Sequence, residues 1–186
     1  MGIIFYIVYC IWFATEIVIN RALRSNSADK QNADKGSLII IWLTISLSIT
    51  AAILVSSNYY LPIYPNVLVQ YIGMAIILTG VVLRIIAVRM LGKFFTADVT
   101  IRQGHQLIKT GFYKYFRHPS YTASLLSFIG FGVALNNWCS LLIVAVAITI
   151  AFTIRIKIEE KALITQFGND YITYKKEAYG LIPFVH

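Results

Sequence analysis

Five stretches of the chain are almost wholly apolar, at residues 3–20, 37–57, 66–90, 120–136 and 140–157, and the polar positions are gathered between them. A helix that crosses a bilayer needs about 20 mostly apolar residues. With no water in the hydrocarbon, each backbone N–H and C=O must be satisfied within its own segment, so every stretch predicts a transmembrane helix. The last two are short and separated only by Asn136, Asn137, Trp138 and Cys139, which predicts a tight helical hairpin. No internal repeat is visible, and the only Ser/Asn/Asp-rich stretch, 25–37, reads as a loop.

The polar residues between these stretches alternate in charge content. The 21–36 loop carries Arg21, Arg24, Lys30 and Lys35, whereas 58–65 and 136–139 carry no Lys or Arg. Lys93, Arg102, Lys109, Lys114 and Arg117 follow the third stretch; Lys157, Lys161, Lys175 and Lys176 follow the fifth. Because Lys and Arg mark cytoplasmic loops, this predicts an outer N-terminus and a cytoplasmic C-terminus, with Tyr59, Tyr60 and Tyr64 in an outer aromatic belt.

Composition strengthens the membrane reading. Hydrophobic residues make up 58% of the 186 positions and charged residues 13%, with a mean hydropathy of +0.71. A soluble domain devotes about a quarter of its residues to charge. The net charge of +8 would suggest a nucleic-acid partner in a soluble chain; here topology accounts for it, and no nucleic acid is expected. The first apolar run lacks a basic leader and a small-residue cleavage site, so it reads as a retained span. Tyr6 stands where a myristoylation signal requires Ser or Thr. Cys10 and Cys139 offer neither a disulfide framework nor metal-ligand spacing.

Two charges fall inside predicted spans, Glu16 and Arg84, each about one helical turn within the cytoplasmic edge. Arg84 can snorkel to the headgroups, or the two can pair and fix spans one and three, since embedded charge is costly alone.

Polar and aromatic residues concentrate in 92–121 and 155–186. Helix connections usually run 2–8 residues, and longer ones tend to be functional or disordered. Phe94, Phe95, Phe112, Tyr113, Tyr115, Phe116, Phe167, Tyr171, Tyr174 and Tyr179 argue against disorder. A site roofing the membrane is the expectation. It has no phosphate-binding loop, zinc-protease helix or serine elbow. Gly130-Phe131-Gly132 lies in an apolar span and reads as a helix-packing notch.

The densest cluster, Gly104-His105-Gln106-Leu107-Ile108-Lys109-Thr110-Gly111-Phe112-Tyr113-Lys114-Tyr115-Phe116-Arg117-His118-Pro119-Ser120-Tyr121, resembles the core motif of isoprenylcysteine carboxyl methyltransferases. Arg117-His118-Pro119-Ser120-Tyr121 opening a span is shared with the wider phospholipid methyltransferase group. Arg155, Glu159-Glu160, Phe167-Gly168, Tyr171, Tyr174-Lys175-Lys176 and Pro183 continue the resemblance, which covers about residues 90–186. Ala123 stands where a Gly is common in the family, and Gly180 near where many microbial relatives carry Arg.

The resemblance implies an all-α integral membrane methyltransferase with a cytoplasmic site formed by the span 3–4 connection and the C-terminal tail. It implies S-adenosylmethionine as donor, S-adenosylhomocysteine as product, and a lipid-like or prenylated acceptor entering from the bilayer. His105, Gln106, Leu107, Ile108, Tyr113, His118, Pro119, Ser120, Tyr121 and Glu159 would line the cofactor pocket, and Arg155 would face the acceptor. The expected location is a prokaryotic cell membrane.

These residue types suit that chemistry. A carboxylate acceptor, with a reference pKa of about 4, is already ionised at neutral pH and needs no general base. Aromatic faces such as Tyr113 and Tyr121 can hold a sulfonium. Glu159 can accept hydrogen bonds from ribose hydroxyls, and Arg155 offers a planar fork to a carboxylate. Simpler roles are open to each residue. His118-Pro119 suits a helix start, the tyrosines suit interfacial anchors, and Arg155 with Glu159 suits an i,i+4 pair. Two other functions also stay open: N-methylation of a phospholipid amine, which needs a base, and a non-catalytic membrane scaffold.

Overall fold

The computed structural model describes residues 2–22, 36–96 and 104–182. Arg24, Lys30, Lys35, Arg102 and Pro183, which entered the sequence argument, lie outside the described residues. Among those described, the helices are α1 (Ile3–Ala22), α2 (Ser37–Asn58), α3 (Leu68–Leu91), α4 (Pro119–Ala134), α5 (Trp138–Phe167) and α6 (Asn169–Glu177), with short 3-10 turns at Gly92–Phe94 and Gly111–Lys114. An isolated parallel bridge joins Phe116 to Tyr179. α1, α2, α3 and α5 are each long and apolar enough to cross a membrane.

The first three helices end within two residues of the apolar stretches that predicted them. The last two stretches behave differently. α4 has 16 residues, about 24 Å at 1.5 Å per residue, which is short of the roughly 30 Å hydrocarbon thickness. It is the central helix: eleven of its residues are buried. α5 has 30 residues and runs ten past the expected end at 157. Nothing stops it sooner, because Lys157, Glu159, Glu160 and Lys161 are good helix formers. It breaks at Gly168, whose φ of 55° suits a residue without Cβ.

α3 and α4 approach at backbone distance. A Cβ built on Gly130 would lie 2.7 Å from the Ile77 nitrogen and 2.8 Å from the Gly73 carbonyl. One on Gly80 would meet the Ala123 carbonyl at 2.7 Å. Ala123 therefore sits at the α3–α4 seam, where a small residue is what the packing asks for. Gly132 does the same toward Leu141 of α5. Large side chains such as Ile3, Ile7, Ile39, Leu43, Leu47 and Leu54 point outward from α1 and α2, as a lipid-facing surface requires.

Each end of the bundle is tied by polar contacts. At the charge-poor end, the Asn136 side-chain oxygen accepts from the Ile63 and Tyr64 nitrogens at 3.1 and 3.2 Å. Its amide donates back to the Tyr64 carbonyl at 2.9 Å, and the Asn137 amide donates to the Tyr59 carbonyl at 2.7 Å. The α4–α5 turn thereby holds the α2–α3 loop.

At the charge-rich end, Arg117 is the tie. Its backbone nitrogen donates to the Tyr179 carbonyl at 2.8 Å, and Tyr179 donates to the Tyr115 carbonyl at 2.9 Å. The guanidinium donates to Glu160 at 3.0 Å and to the carbonyls of Lys175 and Ala178 at 2.6 and 2.5 Å. Lys175 closes the set on Glu160 at 2.5 Å. The Tyr174 hydroxyl donates to the Tyr113 carbonyl at 2.6 Å; burial pushes this phenol up to about 12, so it stays a donor at neutral pH. Thr122 donates to the Leu181 carbonyl at 2.8 Å. The tail thus lies over the start of α4, and Gly180 within it is buried.

Candidate functional site

One cavity, about 1490 Å³ with its open mouth included, runs between the charge-rich end and the interior of the bundle. Its charge-rich half is made by residues 94–96 and 105–113, the first turns of α4 and the last turns of α5 with α6. His105, Gln106, Leu107, Ile108, Tyr113, His118, Ser120, Tyr121 and Glu159 all line it. Pro119 does not. It is the first residue of α4 and buried, a position where its missing N–H costs nothing. Arg155 lines the cavity and touches both Tyr121 of the charge-rich half and Ser37 at the start of α2, the helix whose Leu38, Ile41 and Trp42 line the apolar half.

The His105 ring stands between two aromatic rings, with centroids 5.2 Å from Phe94 and 5.7 Å from Phe167. His118 occupies the residue before α4, but its side chain does not cap the helix. The ring instead reaches α5: Nε2 lies 3.4 Å from Glu160 and Nδ1 3.9 Å from Glu159. A simple capping role is therefore excluded. Tyr113 is buried, and its hydroxyl donates to the Ala87 carbonyl at 3.3 Å; burial pushes its phenol above the ordinary tyrosine value, and nearby Glu159 adds to this.

Arg155 and Glu159 are linked through a third side chain. A phenol lies between them: the Tyr121 hydroxyl donates to Glu159 Oε2 at 2.9 Å and accepts from Arg155 Nε at 3.4 Å. Arg155 Nη1 donates to the Ser37 hydroxyl of α2. The Glu159 carboxylate keeps 32% exposure, facing the cavity.

The two embedded charges form a pair. Arg84 Nε lies 2.8 Å from Glu16 Oε1, with the side chains 11% and 14% exposed. Arg84 also donates to the Ser120 hydroxyl and carbonyl, both at 3.1 Å, and Ser124 donates to Glu16 at 3.3 Å. Snorkelling is ruled out by this geometry. Glu16, Arg84, Ser120 and Ser124 stand together in the cavity wall.

Sequence reasoning missed the other half of the cavity. Tyr9, Trp12, Phe13 and Asn20 of α1, with Leu38, Ile41, Trp42 and Ile45 of α2, line its apolar part. Ser37 and Tyr171 were also unassigned. A signal existed on α1: Tyr9, Trp12, Phe13, Glu16 and Asn20 recur at helical spacing and share a face. α2 carries no such stripe, since its polar residues before the terminal Asn58 are Ser and Thr scattered around the helix.

The isoprenylcysteine carboxyl methyltransferase family model matches residues 71–165. The chain is 35% identical over 116 residues to protein-S-isoprenylcysteine O-methyltransferase B of Arabidopsis thaliana, covering 61% of this chain and 59% of that protein. It is 36% identical over 116 residues to the Saccharomyces cerevisiae protein-S-isoprenylcysteine O-methyltransferase, covering 61% and 48%. The fold also matches a solved eukaryotic intramembrane Ras methyltransferase, isoprenylcysteine carboxyl methyltransferase. That match has a TM-score of 0.65 and 28% identity over 77% of this chain and 52% of that one. The chain thus spans between about half and three fifths of the length of these relatives. Its helices and these matches make it a multi-pass membrane protein, and the chain belongs to the isoprenylcysteine carboxyl methyltransferase family.

Proposed function

We propose that this protein transfers a methyl group from S-adenosylmethionine to the carboxylate of an isoprenylcysteine or a similar amphiphilic acid. The observation that carries this reading is the position of Arg155. It stands in one continuous cavity, between a half lined by His105, Tyr121 and Glu159 and a half lined by Trp12, Phe13 and Trp42. A fork for a carboxylate at the border of a polar and an apolar chamber suits an acid carrying a hydrocarbon chain.

The polar chamber fits the donor. Glu159 presents a part-exposed carboxylate suited to ribose hydroxyls, and the His105 ring offers a stacking surface between Phe94 and Phe167. Among the described residues the Tyr171 hydroxyl, buried there in a residue 1% exposed, has no hydrogen-bond partner. Ordered hydroxyls of that kind ordinarily find a partner. His105, Gln106, Leu107, Ile108, Tyr113, His118, Ser120, Tyr121 and Glu159 would hold the molecule, with Pro119 setting the start of α4 behind them. When bound, S-adenosylmethionine supplies a methyl carbon made electrophilic by its sulfonium.

The chain's own residues then orient and desolvate. Arg155 fixes the acceptor carboxylate, already ionised at neutral pH, so that no residue has to remove a proton. The buried walls exclude water, which keeps the carboxylate a better nucleophile than it is in solution, and fixed orientation supplies much of the acceleration. The acceptor's hydrocarbon enters from the bilayer between α1 and α2. These two helices scarcely touch; the Phe13 and Trp42 rings meet edge-on across the gap at 6.5 Å. On this reading the charge-rich end faces the cytoplasm and the N-terminus lies outside, which the distribution of Lys and Arg supports. In sealed vesicles of a chain lacking Cys10 and Cys139, an impermeant thiol reagent applied outside labels Tyr60→Cys, since Tyr60 is 83% exposed, and spares Lys176→Cys.

The test is radiolabelled methyl transfer by the purified protein to farnesylated thiol-acids and to phosphatidylethanolamine. Base-labile product on the acids is the expected result. Base-stable product on the amine overturns the acceptor assignment, and the absence of saturable S-adenosylmethionine binding overturns the enzyme reading in favour of a scaffold.

A further inference from the structure

Arg155 is the most deeply buried charged residue among those described, 1% exposed, and it still contributes to the cavity wall. Among the groups that hold its guanidinium are hydroxyls from two other helices. Nε donates to Tyr121 of α4 at 3.4 Å, and Nη1 donates to Ser37 of α2. Tyr121 belongs to the motif region. Ser37 does not: it lies 118 positions from Arg155 and outside the segment that the family model matches.

Serine at the start of a helix commonly satisfies the helix's own free N–H groups. Here the residue preceding α2 is Gly36, with φ of 82° and no side-chain cap, and Ser37 is the buried first residue of the helix. Its hydroxyl is turned to the arginine of α5, against which α2 packs along its length. A guanidinium binds a carboxylate through a flat fork, so the direction of its plane decides whether one or two N–H groups can reach both oxygens. A hydroxyl orients that plane without opposing its charge.

We propose that Ser37 is a positioning residue that aims the Arg155 fork at the acceptor carboxylate, so that selection of the acid depends on α2 as well as on the motif helices. This rests on the reading of Arg155 given above. Acceptor selection is then shared with the part of the chain whose pattern is merely apolar.

The experiment is equilibrium binding to the purified full chain in nanodiscs, with a farnesylated thiol-acid and its neutral carboxamide as paired probes. The wild type should prefer the acid. Ser37→Ala should reduce that preference by about 5–10-fold, the size of one typical net hydrogen bond, while leaving carboxamide affinity and thermal midpoint unchanged. Ser37→Thr, which keeps the hydroxyl, should restore the preference. Steady-state kinetics should show the loss in acceptor KM, with S-adenosylmethionine affinity within twofold. An unchanged preference in Ser37→Ala, with the wild type still discriminating, overturns the role of Ser37 alone. Equal weakening of both probes with a lowered midpoint assigns Ser37 to helix stability and also overturns it. A wild type that does not distinguish acid from amide overturns the Arg155 reading and this inference with it.

Discussion

The two halves of the cavity are built by different means. The charge-rich half is made of polar groups that hold one another: Arg117, Glu160, His118 and Lys175 form one set, and Tyr121 joins Arg155 to Glu159. The apolar half is made of side chains on α1 and α2, two helices that scarcely touch and present most of their surface outward. Polar groups in a low-dielectric interior need partners at fixed geometry, so the first half tolerates little change. The second needs only volume and apolar character. Variation in acceptor shape is therefore expected to be written in the second half, and donor recognition in the first.

The sharpest way to break this comparison is to cut the polar set. Arg117→Ala leaves Glu160 buried with one partner fewer and frees the carbonyls of Lys175 and Ala178. Breaking a buried pair by removing one member costs about 3–5 kcal/mol. Thermal unfolding should report that loss, and hydrogen exchange should locate it in α6 and residues 178–182. In contrast, Trp42→Leu should leave both nearly unchanged. Equal losses in the two variants would show that the halves do not differ in rigidity.

Next in size is the separation of duties on α5. Glu159→Ala should weaken S-adenosylmethionine binding by about 1–3 kcal/mol, the cost of a lost hydrogen bond to a charged group. Arg155→Ala should leave that affinity within a few-fold and raise acceptor KM instead. Arg155→Lys keeps the charge and loses the fork, so it should also impair the acceptor side. Calorimetry with the donor beside acceptor kinetics checks all three; normal values for all would move the site elsewhere.

What the sequence made legible follows the same division. The motif residues could be expected to meet because the family resemblance sets residue types at particular spacings, His118 before Pro119, Tyr121 one turn on, Glu159 one turn after Arg155, and His118, Tyr121, Arg155 and Glu159 do line one cavity. Helix positions were legible because the bilayer requires long apolar runs, and α1, α2 and α3 end near their expected limits. The end of α5 was not, because the charge at 157–161 that reads as leaving the membrane does not stop a helix; Gly168 does. The central place of α4 was not legible either. Its apolar character reflects burial among helices rather than contact with lipid, and composition does not separate the two. Ser37 was illegible because one serine among several on an apolar helix carries no pattern; only the packing of α2 on α5 brings it to Arg155.

A smaller effect is expected where the halves meet through α1. Glu16 and Arg84 should be coupled, so Glu16→Gln and Arg84→Gln should each lower the thermal midpoint, and the double variant should lose less than the sum by about 1 kcal/mol. The exchanged pair, Glu16→Arg with Arg84→Glu, should recover part of the stability. Ser120 and Ser124 limit that recovery, since both are placed for the present polarity: Ser124 donates to the carboxylate and Ser120 accepts from the arginine. Strict additivity would show that the contact carries no energy.

The smallest expected effect is the most informative about communication between the chambers. The Tyr121 hydroxyl donates to Glu159 and accepts from Arg155, so a donor molecule drawing on Glu159 and an acceptor drawing on Arg155 pull on one phenol. When the acceptor carboxylate engages Arg155, the phenol's contact with the guanidinium is weakened, and its bond to Glu159 can shorten. Each ligand should then change the other's affinity by the same factor, as linkage requires. Tyr121→Phe keeps the ring that packs against Phe152 at 5.3 Å and removes only the shared hydroxyl. The expected loss of coupling is about 0.5–1.5 kcal/mol, the range for one hydrogen bond. Titration of the farnesylated thiol-acid with and without S-adenosylhomocysteine measures it in both proteins. A coupling factor that survives in Tyr121→Phe would mean that the chambers communicate through the backbone of α5, and the phenol merely fills the space between them.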